Sequence, residues 1–96
     1  MDMLPKKIPA SFILAGRTWK VKRKVRATKW YGRTYAHKCL IELSTANKSH
    51  EEELHTFFHE LLHATASAMG WEKFNKDEPK IDAMAALLLQ AFMTQK

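Results

Sequence analysis

The sequence is short of the residues that staple or punctuate small folds. Its 96 residues include one cysteine, three glycines and three prolines. The lone Cys39 excludes an internal disulfide framework. No apolar stretch approaches the roughly 18 residues of a membrane span. The opening Met1-Asp2-Met3-Leu4-Pro5-Lys6-Lys7 lacks the apolar core of a signal peptide. These absences point to a cytoplasmic protein with no membrane partner. With 46% hydrophobic and 27% charged residues, the composition is that of one globular domain over 1–96 with one modest core.

Acidic residues are nearly absent before residue 40, and the positive excess behind the +6 net charge lies there. From Thr18 to Thr28 the chain alternates. Trp19, Val21, Val25 and Ala27 form one row and Lys20, Lys22, Lys24 and Arg26 the other, with Arg23 interrupting the apolar row. Period two reads as a half-buried strand with a basic outer face. Ser11 to Leu14 makes a preceding strand, turning at Ala15-Gly16-Arg17. After a loop at Lys29-Trp30-Tyr31-Gly32-Arg33, the alternate residues Tyr35, His37, Cys39, Ile41 and Leu43 predict a third strand. The expectation is an α+β fold whose sheet half, about residues 10–44, is a small three-stranded antiparallel sheet. The basic row, with Trp30, Tyr31 and Arg33 nearby, also suits phosphates and stacked bases, so a nucleic-acid-binding module is one candidate function.

The second half predicts two packed helices, over about 50–69 and 78–95. Ser49 with Glu52 forms a capping box, and Glu51, Glu52 and Glu53 suit the positive end of the first helix. Gly70 stops it. Asp77 caps the second, with Pro79 in its first turn. Ile81, Ala85, Leu88 and Phe92 give that helix its apolar stripe.

Within the first helix stands His59-Glu60-Leu61-Leu62-His63, an H-E-x-x-H run. Residues four apart lie about 6 Å apart on one helix face, so both imidazoles can meet one ion. Glu60 lies about 100° around the helix and can serve a water without being a ligand. Zn²⁺ brings a water's pKa near 7, and Glu60 is then the general base toward a peptide carbonyl. A chain of this composition would match the run by chance in about 2% of cases, so the motif is taken as a signal. A catalytic zinc needs a third protein ligand. No histidine follows His63, and Ala66 and Met69 exclude the longer histidine-bearing extension. The downstream acids are Glu72, Asp77, Glu78 and Asp82. Glu78 is preferred, because it shares a helix row with Ile81 and Ala85. Asp82 is next, as ligand or as partner to a ligand histidine. His55 is about 12 Å along the axis from His63 and reads as a satisfied or solvated histidine. His50 reads as surface and His37 as core. His37, Tyr31 and Tyr35 are secondary candidates for steadying an oxyanion.

Thr56-Phe57-Phe58-His59-Glu60-Leu61-Leu62-His63-Ala64, Gly70, and the helix start Asp77-Glu78-Pro79-Lys80-Ile81-Asp82 resemble small gluzincin-type metallopeptidases. These are the minigluzincins of bacteriophages and prophages, related more distantly to ImmA/IrrE-like peptidases. The resemblance implies a minimal zincin-like domain, zinc on His59, His63 and Glu78, Glu60 as general base, and a peptide or protein substrate. The other candidates are the nucleic-acid module and a latent or structural zinc protein without activity. The sequence leaves the oligomeric state open.

Overall fold

The computed structural model describes residues 7–46 and 49–95, with Lys24 and Val25 as backbone only. The chain start read for a signal peptide therefore lies largely outside the described residues. Strand β1 (Ser11–Leu14) pairs antiparallel with β2 (Arg17–Val25). Their turn places Ala15 at φ 50 and Gly16 at φ 77. Two positive φ values suit a tight hairpin, because that backbone follows the strands' twist.

The sheet has four strands, not three, and is mixed rather than antiparallel. Its order is β1-β2-β4-β3, where β3 is Gly32–Tyr35 and β4 is Leu40–Ser44. β4 runs parallel to β2 and antiparallel to β3. The expected third strand from Tyr35 to Leu43 is thus a strand end, a reversal and a second strand. The reversal is a 3-10 turn at Ala36–Lys38, closed by Cys39 at φ 50. Left-handed backbone at a residue other than glycine is uncommon. His37 falls in this turn and is exposed, not in a core.

Helix α1 (His50–Met69) lies on β3 and β4. Its capping box is formed: the Glu52 N–H donates to Ser49 Oγ at 3.1 Å, and the Ser49 N–H donates to Glu52 Oε1 at 2.9 Å. Gly70 ends it at φ 71. A short helix not foreseen in the sequence, α2 (Glu72–Asn75), fills the connector. Helix α3 (Glu78–Thr94) starts on Asp77, whose carboxylate accepts from the Lys80 N–H. Ile41, Leu43, Leu54 and Ile81 are fully buried. Phe12, Phe57, Phe58 and Phe92 link the first strand to α3 through ring contacts of 5.3–6.1 Å. Among the described residues no helix is long and apolar enough to cross a membrane.

Arg23, the odd residue in the apolar row, lies where the β2–β4 register shifts. Its guanidinium donates twice to Glu53, with both contacts at 2.7 Å. Glu53 is buried, and this two-pronged bond supplies its charge partner. It ties the central sheet to the first turn of α1.

Candidate metal centre

The face of α1 that carries His59 and His63 turns toward the start of α3. There the Glu78 carboxylate is 2.9 Å from His59 Nε2 and 3.2 Å from His63 Nε2. Ligand atoms of these three residues lie within 4.8 Å of one another and could hold a metal ion. The donor set is two imidazoles and a carboxylate, groups suited to a divalent metal ion.

The far side of each ring is also engaged. Asp82 Oδ1 lies 3.2 Å from His59 Nδ1, and Asn75 Oδ1 lies 2.6 Å from His63 Nδ1. Both oxygens can accept from an Nδ1–H, and a histidine that donates there leaves its Nε2 lone pair for an ion. Asp82 therefore backs His59. Asn75 does the same for His63, from the short helix that the sequence pattern did not reveal.

Glu60 sits beside the ligands, buried, and is held from the sheet. The Thr34 hydroxyl donates to Glu60 Oε1 at 2.7 Å and approaches its backbone oxygen at 3.0 Å. Burial pushes the Glu60 carboxyl above its ordinary pKa. The Thr34 hydrogen bond and the two histidines pull the other way, and Glu78 adds to the rise. Gly32, two residues earlier on β3, makes room: a Cβ there would lie 2.7 Å from Thr56 Cγ2 and 2.9 Å from Glu60 Cγ.

The ligand cluster opens into a cleft of about 550 Å³, lined by Tyr31 and Gly32 from the sheet side and by His55, Glu78 and Asp82 among the helical residues. A smaller cleft of about 320 Å³ shares Glu60 and His63 and continues past Thr34, Ser67, Asn75 and Lys76.

The other candidates fall elsewhere. Asp77 is the α3 cap, and Glu72 begins α2. Tyr35 donates its hydroxyl to Glu42 at 3.3 Å. Tyr31 lines the cleft, whereas His37 lines neither cleft. His50 is half-buried in the first turn of α1, not purely surface. His55 is half-buried: its Nε2 is shielded from solvent and makes no hydrogen bond among the described residues, but lies 3.2 Å from Asp82 Oδ1. On the basic face Lys20, Lys22 and Arg26 are exposed, while the Arg33 guanidinium covers the Trp30 ring at 4.7 Å.

Thr34, Gly32 and Asn75 are the site residues that sequence reasoning missed. Thr34 and Gly32 share a face of β3 by period two, which could have been noticed only with that strand in the right place. Comparison with protein-family models, curated proteins and solved structures gave no match to this chain.

Proposed function

We propose that the chain is a zinc-dependent peptide hydrolase of the small gluzincin type. The observation that carries this reading is the meeting of His59, His63 and Glu78 at one point, with the buried Glu60 beside them on an open cleft. Three protein ligands leave a fourth position, the pattern of catalytic rather than structural zinc. The ion, when bound, supplies Lewis acidity toward a carbonyl and makes water nucleophilic near neutral pH.

The rest is done by the chain. His59 and His63 are pre-set by Asp82 and Asn75, so their Nε2 atoms need no tautomeric change to ligate. Glu60 takes the proton of the attacking water and returns it to the leaving amine. Its raised pKa suits both tasks, and Thr34 fixes which carboxylate oxygen stays oriented. The peptide lies against β3. β3 is an outer strand of the sheet and the one packed against α1, while β4 is paired on both sides. An extended chain can add to such an edge through backbone hydrogen bonds.

The experiment is peptide hydrolysis by the zinc-loaded chain beside Glu60→Gln and Glu78→Ala. The first variant is expected to keep zinc and lose cleavage, and the second to lose zinc. Undiminished cleavage by Glu60→Gln would refute the role of that residue. A parent chain that binds no zinc after reconstitution would sink the whole reading.

A further inference from the structure

The histidine row of α1 is longer than the motif. His55, His59 and His63 recur every four residues, and across from them α3 presents Glu78 and Asp82, also four apart. The helices run in opposite senses here, so Glu78 meets the later pair and Asp82 the earlier one. Asp82 Oδ1 is 3.2 Å from His55 Nε2 and 3.2 Å from His59 Nδ1. The pairing of two histidines with one carboxylate is thus repeated, displaced by one helical turn.

From this repetition we infer a second, weaker metal-ion subsite held by His55 Nε2 and the Asp82 carboxylate, one turn from the first. His55 Nε2 is shielded from solvent and makes no hydrogen bond, although Asp82 Oδ1 is close enough for one. A buried polar atom left in this state calls for a partner. An imidazole nitrogen and a carboxylate oxygen at this distance can share an ion between them. With zinc–nitrogen and zinc–oxygen bonds near 2.0–2.1 Å, two ligands of a tetrahedral ion lie about 3.3 Å apart. His59 Nε2 and His63 Nε2 stand at comparable distances from Glu78 in the first cluster.

Asp82 can serve both neighbours. Its Oδ1 accepts from His59, while Oδ2 makes no hydrogen bond or ion pair among the described residues. Its side chain is 60% exposed, so water can complete the ion's shell. Two protein ligands instead of three make this the weaker subsite, filled at higher free metal than the first. Both residues line the larger cleft. An ion there occupies space that a substrate needs, so excess zinc would act as an inhibitor of the neighbouring centre. The subsite itself does not depend on the peptidase reading.

The test is equilibrium dialysis of the metal-free full chain against buffered free Zn²⁺, with imidazole ¹⁵N NMR on the same samples. The parent is expected to bind one tight equivalent and a second about 100-fold weaker or more. At the second equivalent the His55 Nε2 resonance should shift to that of a ligating nitrogen. His55→Ala should lose the second equivalent and keep the first. Glu78→Ala should lose the tight equivalent and keep zinc binding at His55, so failure of the first site is read separately. A single equivalent up to millimolar free zinc would overturn the inference. So would a second equivalent that survives His55→Ala, or a His55 resonance unmoved by zinc.

Discussion

Replacing Gly32 with alanine tests the link between the sheet and the site. The added Cβ would lie 2.7 Å from Thr56 Cγ2, 2.9 Å from Glu60 Cγ and 3.2 Å from the Glu42 carbonyl oxygen. Carbon atoms rest about 3.5–4.0 Å apart, so the two α1 side chains must retreat by about 1 Å, or β3 must lift away. The backbone of Gly32 is not in the positive-φ region, so the cost is one of space. Overpacking of this kind costs about 1–3 kcal/mol. At about 4–8 °C per kcal/mol for a domain this small, thermal melts should show a fall of several degrees or more. The same displacement strains the 2.7 Å Thr34–Glu60 hydrogen bond. A misplacement of about 1 Å costs on the order of 100-fold in rate. Zinc affinity should change much less, because the three atoms nearest the added carbon belong to Thr56, Glu60 and Glu42. Adding Thr56→Ser removes the nearest clash while keeping the hydroxyl that donates to Glu52 at 3.0 Å, and should restore part of the loss. A Gly32→Ala chain that melts with the parent and cleaves equally well would refute the reasoning.

Arg23→Ala strands the buried Glu53 charge. Breaking a buried pair costs about 3–5 kcal/mol, and because the Arg23 side chain is 42% exposed the expected loss is nearer 1–3 kcal/mol by urea denaturation. The double variant Arg23→Met/Glu53→Leu should recover most of it, and an additive double loss would argue against the pair. Asn75→Leu leaves His63 Nδ1 without its acceptor and should weaken zinc binding about 10–100-fold in a competitive chelator titration. For Glu60→Gln without metal the direction follows from burial. The folded carboxyl titrates above its unfolded value, so the native state retains the proton longer. Parent stability therefore falls as pH rises from the unfolded value through the folded one. The Gln variant should melt higher than the parent at pH 7.5 and not at pH 4. An equal difference at both would count against that account.

The second half of the chain was largely legible because its signals are local. Ser49 and Glu52, Gly70, and Asp77 mark helix ends through contacts within a few residues, and all three stand where they were expected. His59, His63 and Glu78 could be grouped because spacing on one helix and a shared row on the next leave few alternatives. The sheet was less legible. The alternation of Tyr35, His37, Cys39, Ile41 and Leu43 continues across a reversal, and no glycine or proline marks that turn. Cys39 bears the left-handed backbone instead. Missing that turn hid β3, and with it Gly32 and Thr34. Asn75 was out of reach because four residues of helix give no periodic pattern. Arg23 looked like an error in a strand, and its reason was a partner 30 residues away.

Helix α3 is held to the rest of the chain along one face. Ile81, Ala85 and Leu89 are its buried residues, while Met84, Leu87 and Met93 face outward. Its first turn nevertheless supplies one corner of the candidate centre, and α1 supplies the other two. An ion bound there is a clasp across the connector as well as a reagent. Docking of α3 and occupancy then become a single equilibrium, in which ligand at about 1,000 times its Kd adds about 4 kcal/mol to the folded state. For a domain of this size that is a large fraction of the whole stability. Metal supply would then set how long the chain survives unfolding and proteolysis.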